Sequence, residues 1–306
     1  MSDFMSLIIP AYNEADMISI AYSEIRQVLD GIGIEYEFIF VDDGSDDDTY
    51  DEVKKLYDLG HTEVHCISFS RHFGKESAIF AGLTEAKGDC CVVMDCDLQH
   101  PPEALIEMYK LRKEGYEVIK GVKKSRGKES LLYKFMSKLF NSVISRCSGI
   151  DLENSSDFIM LDRTVVDSLL SMPETATFFR GLSRWVGYNS VELPFEVADR
   201  RRGESKWSSK SLVKYAINNI AVFSAEPLQL VTVMGVIFIL GSLLVGGEAL
   251  YRYFTHTALG GFTTVIGLIL LTGGIIMISL GIIGIYIAQI FDEVKKRPRY
   301  LVEKRF

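Results

Sequence analysis

Two stretches late in the sequence limit what this chain can fold into. Residues 228–247 contain no Asp, Glu, Lys or Arg, and neither do residues 253–291. The strongly apolar part of the second run extends from about Phe262 to Ile290. A bilayer core takes about 20 apolar residues of helix, so each run is long enough to span one. A buried core helix explains one such run; for two in succession it is the weaker account. The spans are expected near 228–250 and 262–290. The connecting segment Arg252–Gly261 holds one arginine and one histidine, whereas Lys210, Lys214, Lys295, Lys296, Arg297 and Arg299 flank the other ends. By the positive-inside rule both termini and the large polar part face the cytoplasm. Gly273, Gly274, Gly281 and Gly284 lie in the second run. Small residues suit close helix approach, within a hairpin or between subunits of a dimer or tetramer. Glycine facing lipid is the alternative.

The remaining chain is a different material. Net charge is -8 and the pI is about 5.3, which argues against nucleic acid as a partner. The five cysteines show no metal-ligand spacing, and reduced thiols in a cytosolic compartment account for them. Met5–Ile9 is too short an apolar run for a signal peptide. Short apolar runs alternate with helical patterns: Ser6–Pro10, Glu37–Val41, Val64–Phe69 and Cys91–Met94 read as strands. Asn13 is positioned to cap a first helix that runs to Leu29 and stops at Gly31. The alternation predicts an α/β fold with a mostly parallel sheet and helices on both faces. Ligands of such sheets sit beyond the carboxyl ends of the strands. All four strands end in polar motifs there, so a nucleotide pocket is expected at that edge.

The sharpest motif is Asp95-Cys96-Asp97, followed by Pro101 and Pro102, which stop the strand. Strand alternation puts Asp95 and Asp97 on one side. Two neighbouring carboxylates repel and call for a cation; Mg2+ or Mn2+ holding a diphosphate fits hard oxygen ligands. A solvated acidic turn is the plainer account of an isolated Asp-x-Asp. Cys96, between the acids, is expected to point into the fold.

Together, Ile9-Pro10-Ala11-Tyr12-Asn13-Glu14, Val41-Asp42-Asp43-Gly44-Ser45, Arg71-His72-Phe73-Gly74-Lys75 and Met94-Asp95-Cys96-Asp97-Leu98-Gln99-His100-Pro101-Pro102 resemble the signature series of family 2 inverting glycosyltransferases. The later segments and the two spans resemble the polyisoprenyl-phosphate branch, including bactoprenol glucosyltransferases and dolichyl-phosphate mannose synthase. The resemblance covers essentially the whole chain. It implies a GT-A fold, a nucleotide-sugar donor such as UDP-glucose, a polyprenyl-phosphate acceptor, and an integral protein of the bacterial inner membrane. GDP-mannose or a modified UDP-pentose would use the same motifs. On this reading Pro10, Tyr12, Glu14, Asp42, Asp43, Arg71, Lys75, Asp95, Cys96 and Gln99 contact the donor. Asp95 and Asp97 hold the metal, with Asp97 the first choice for direct ligation. The resemblance also brings Asp157, in Asn154–Arg163, to the active site as a base or an orienting group; a turn aspartate is the alternative.

The acceptor phosphate is assigned to two basic segments. One contains Arg126 and Ser130; the other is Arg200–Trp207, with Arg200, Arg202, Ser205 and Lys206. Helices near 130–147 and 207–225 carry apolar stripes that suit either core packing or the membrane interface. The expected organisation is a catalytic domain over 1–225, two spans over 226–291, and a basic cytoplasmic tail over 292–306. The rival from another class is a non-catalytic membrane scaffold that binds nucleotide sugar.

Overall fold

The computed structural model describes residues 3–123, 155–174, 178–196, 226–255 and 262–306. The interface helices expected near 130–147 and 207–225, and the acceptor candidates Arg126, Ser130, Arg200, Arg202, Ser205 and Lys206, lie outside the described residues. The chain divides into two units, Met1–Trp207 with Arg297–Phe306, and Ser208–Lys296.

In the first unit β1 (Phe4–Ala11), β2 (Glu35–Asp42), β3 (Val64–Phe69) and β4 (Cys90–Val93) alternate with α1 (Ala15–Ile32), α2 (Thr49–Asp58) and α3 (Lys75–Glu85), and α4 (Ala104–Lys113) follows. Then come β5 (Val118–Lys123), β6 (Ser155–Asp162), α5 (Arg163–Leu170), α6 (Phe179–Trp185) and β7 (Ser190–Phe195). A final strand, β8 (Val302–Arg305), forms from residues expected to be a tail. All eight join one sheet in the order β7-β5-β6-β4-β1-β2-β3-β8. The β3-β2-β1-β4 stretch is parallel, β6 is antiparallel to β4 and β5, and β8 is antiparallel to β3.

Burial explains the strand sequences. Met5 to Ile9 are all fully enclosed, because helices cover both faces of the parallel strands. Met5, Leu7 and Ile9 join the core formed with α1, α2 and α4. Ile8 turns to the other face, against α3. In α1 the buried residues Met17, Ile18, Ala21, Tyr22, Ile25 and Leu29 recur at helical spacing. The helix differs from expectation at both ends. It has no side-chain cap, because the Asn13 Oδ1 accepts from the Asp46 N–H at 2.9 Å instead. It stops at Gly33, whose φ of 76° permits the left-handed cap that donates to the Leu29 carbonyl.

The strand order runs outward from β1 through β2 to β3, then returns to β4 on the other side of β1. Such a reversal opens a crevice at the strand ends. The second unit contains α7 (Glu226–Phe254) and α8 (Phe262–Lys295), which touch each other. Their segments Val231–Glu248 and Leu271–Lys295 have mean hydropathies of 2.0 and 2.2 and are unburied. These are two helices long and apolar enough to cross a membrane. A Cβ added at Gly273, Gly274, Gly281 or Gly284 meets nothing within 4 Å among the described residues.

One glycine sets the distance between helix and sheet. A Cβ on Gly82 in α3 would stand 2.4 Å from Ile8 Cγ2. Gly82→Val should therefore destabilise the fold by about 1–3 kcal/mol, the usual overpacking cost, and lower the thermal midpoint. An unchanged midpoint would show that α3 lifts off β1 without penalty.

Candidate active site

The loops after β1 and β2 are joined to each other. The Asp43 N–H donates to the Ala11 carbonyl (2.9 Å), the Asn13 N–H to Ser45 Oγ (2.9 Å) and the Glu14 N–H to Thr49 Oγ1 (3.0 Å). Asp42 then ties β2 to β3: its carboxylate accepts from the Ser45 N–H (3.0 Å) and the Ser68 hydroxyl (2.7 Å). Asp43 holds the loop after β3. It accepts from the N–H groups of Phe73 (2.7 Å) and Gly74 (2.9 Å), and His72 Nδ1 lies 2.9 Å away. Burial raises the Asp43 pKa despite these donors and the nearby histidine. Gly44, at φ 66°, completes the junction, since a Cβ there would fall 2.3 Å from the Arg71 carbonyl carbon. Between these strand ends lies a cleft of about 390 Å³, lined among others by Tyr12, Asp42, Tyr50, Ser68, Arg71 and His72.

Farther along the edge, sheet register brings two carboxylates together. Val93 pairs with Ile159 across the antiparallel β4–β6 ladder. Beyond the last pair of that ladder, Asp95 and Asp157 reach the same cation. Neighbouring buried carboxylates repel unless neutralised. Lys75, at the start of α3, supplies a cation: its Nζ is 2.5 Å from Asp95 and 2.7 Å from Asp157. Arg180 in α6 closes the other side with a two-pronged pair to Asp157, at 2.5 and 2.9 Å. Burial opposes ionisation of Asp157, which is only 5% exposed, but Lys75 and Arg180 outweigh it and hold the carboxyl far below its usual range. Asp95 is lowered the same way, chiefly by Lys75 against burial.

Glu76 is the unbalanced member. Its carboxylate accepts from the Phe179 N–H at 2.7 Å. Two cations already match Asp95 and Asp157. Burial and the repulsion of Asp157 push Glu76 up to about 7.

Of the residues expected at the site, the structure gathers Lys75, Asp95 and Asp157 in one cluster, and Tyr12, Asp42 and Arg71 around the cleft. Pro10 and Glu14 are half-buried at the edge of β1 and α1. Asp95, Asp97 and Gln99 are half-buried while Cys96, Leu98 and His100 between and after them are buried. Asp95 and Asp97 thus share a side although β4 itself ends at Val93. Asp97 accepts from the Gln99 N–H at 3.1 Å. The Cys96 side chain is in the core, so any donor contact there falls to its backbone. Arg180 and Glu76 escaped sequence reasoning. Their only signals were a charge beside Lys75 and an arginine opening a helix, and both gain meaning from long-range register.

Among the described residues no group of three or more Asp, Glu, His or Cys could enclose a metal. Asp95 and Asp97 nonetheless fit an ion that arrives with a diphosphate, because Mg2+ and Mn2+ take one or two carboxylates and fill the other positions with phosphate and water.

The family model for glycosyl transferase family 2 matches residues 6–170, from β1 through α5. An uncharacterized glycosyltransferase of Bacillus subtilis (strain 168) is 36% identical over 303 residues, covering 98% of this chain and 94% of the relative. A prophage bactoprenol glucosyl transferase homolog of Escherichia coli (strain K12) is 31% identical over 306 residues, 98% of each chain. Among solved structures, a mannosyltransferase of Pyrobaculum calidifontis in complex with GDP-Man and Mn2+ matches with a TM-score of 0.51 at 16% identity, over 96% of this chain and 88% of that chain. That likeness establishes the GT-A fold.

The Glu76 carboxyl has a stability consequence. It keeps its proton in the folded state up to about pH 7 but loses it near the ordinary glutamate value when unfolded. The folded state therefore binds more protons between those values, and stability falls as pH rises through that window. Glu76→Gln should flatten this dependence and melt above the wild type at pH 8, with the gap closing toward pH 5. Parallel melting curves at both pH values would show that Glu76 does not carry the proton.

Proposed function

The chain belongs to glycosyl transferase family 2, and on that footing we propose that it transfers glucose from UDP-glucose to a polyprenyl (undecaprenyl) phosphate. The observation that carries the proposal is the charge-balanced cluster of Lys75, Asp95, Asp157 and Arg180 beside a nucleoside-sized cleft at the strand ends. The relative named as a bactoprenol glucosyl transferase homolog, and two apolar helices that suit a lipid-borne substrate, support the acceptor. Basic residues flanking the helices support a cytoplasmic active site in a bacterial plasma membrane.

The chemistry follows from charge. A lipid phosphate oxygen attacks the anomeric carbon from the side opposite the leaving group. A new carbon–oxygen bond forms as the bond to the nucleoside diphosphate breaks, so the configuration inverts. A phosphate monoester has its second pKa near ~6 and is mostly dianionic at neutral pH. The nucleophile therefore needs no strong base. Asp157 suits this, since a carboxylate held so firmly ionised is a poor proton acceptor. Its task is to orient Lys75 and Arg180, whose charges meet the phosphates in play. Asp95 and Asp97 would hold Mg2+ or Mn2+, which when bound neutralises charge on the departing diphosphate. Arg126, Ser130, Arg200, Arg202, Ser205 and Lys206 are proposed to receive the lipid phosphate.

Protein purified in detergent with either metal and undecaprenyl phosphate should make glucosyl lipid from UDP-glucose. Product from GDP-mannose or a UDP-pentose alone would reassign the sugar. No product from any donor would favour the scaffold. Asp97→Asn should reduce turnover at least ~10²-fold, a typical loss for one charge-stabilising group, without lowering the melting midpoint; wild-type turnover would remove the metal assignment. Arg202→Ala should raise KM for lipid phosphate about tenfold, as expected for a lost charged hydrogen bond, and leave KM for the donor alone. Equal changes in both would place the acceptor elsewhere.

A further inference from the structure

One wall of the cleft comes from beyond the apolar helices in the sequence. Glu303 and Lys304 of β8 line it. The strand is firmly seated. Cys66 and Phe306 exchange both backbone hydrogen bonds at 3.1 Å, and the Ser70 N–H donates to the Leu301 carbonyl at 3.1 Å. Tyr300 stacks on Phe69 at 4.9 Å, and the Phe306 ring lies 5.0 Å from Tyr57. Just before the strand, Arg299 donates to the Met172 carbonyl at 2.9 Å and lies 4.6 Å from the centre of the Phe80 ring.

Register then places the Lys304 side chain. Lys304 stands opposite Ser68, and directly opposed residues project from the same sheet face. Ser68 donates to Asp42, so Lys304 shares the face on which Asp42 meets the cleft. Its ammonium lies 5.0 Å from the centre of the Tyr50 ring. The other charged residues around the cleft are mostly acidic: Asp42, Asp46, Asp47, Asp51 and Glu303. Carboxylates accept from ribose hydroxyls and from a ring N–H, but they donate nothing to a base carbonyl. Arg71 and Lys304 are the lysine and arginine donors lining this space, and Arg71 is drawn over the Phe73 ring, 4.1 Å from its centre.

We infer that β8 is part of the donor pocket and that Lys304 donates to the carbonyl at uracil C4 or guanine C6, selecting these bases over cytosine and adenine, which carry an amino group at that position. The inference rests on the glycosyltransferase reading in taking a nucleoside diphosphate as the ligand.

Calorimetric titration of the full-length protein in detergent with UDP, GDP, ADP and CDP tests it. The wild type should prefer UDP or GDP. Lys304→Ala should weaken that binding about tenfold, the loss expected for one charged hydrogen bond, and should narrow the preference over ADP and CDP. The pairing of β8 is a backbone property, so the melting midpoint should hold. Lys304→Met, which keeps the stem against Tyr50, should show the same loss. Arg305→Ala, whose side chain is 3.7 Å from Glu85, should bind like the wild type. Tight binding of UDP or GDP by the wild type and equally by both Lys304 variants would overturn this inference alone. A wild type that binds none of the four would overturn it together with the proposed function.

Discussion

The sharing of Lys75 by Asp95 and Asp157, just past the end of the β4–β6 ladder, is the constraint from which the rest of the site follows. Two buried carboxylates this close cannot both stay ionised without nearby cations. Lys75 must begin a helix at that point, and Arg180 must open another. The tight seating of α3 on β1, permitted by Gly82, delivers Lys75 there. The contact of Glu76 with the Phe179 N–H then fixes α6 relative to α3, and with it Arg180. Removing one charge would leave a partner uncompensated, which is the expensive way to break a buried pair.

The same arrangement explains a division of labour among the acids. Asp42 and Asp43 hold loops together through backbone amides and a serine hydroxyl, so they shape the cleft as well as border it. Asp95 and Asp157 carry charge that the basic side chains organise. Asp97 accepts the Gln99 amide within its own turn. The acids of one motif therefore do unlike work, because each meets a different set of donors.

Much of this was legible in the sequence for local reasons. The parallel strands are continuous apolar runs because both faces are covered, and α1 announces itself through Met17, Ile18, Ala21, Tyr22, Ile25 and Leu29. The motif Asp95-Cys96-Asp97 could be read because its alternation of exposure persists past the end of β4. Other features were hidden because they depend on partners far away in sequence. Asn13 looked like a helix cap, yet its side chain bridges to the loop after β2, a contact no local rule contains. Arg180 gains its role from a carboxylate across the sheet. β8 read as a basic tail, since Val302-Glu303-Lys304-Arg305 is too short and too charged to signal a strand; its place on β3 comes from Tyr300 and Phe306 on either side.

The seating of β8 also has a consequence for how the molecule is made. Cys66 and Phe306 are partners in one ladder although they lie 240 positions apart in the sequence. Contacts that distant close late, because a long intervening segment must first be brought to heel against its own entropy. Here that segment includes both apolar helices. During synthesis the edge of β3 stays unpaired until the residues after those helices have been made, and an unpaired edge is where sheets go astray. The wall of the cleft that β8 supplies is thus the last part of the sheet to be synthesised, after both apolar helices.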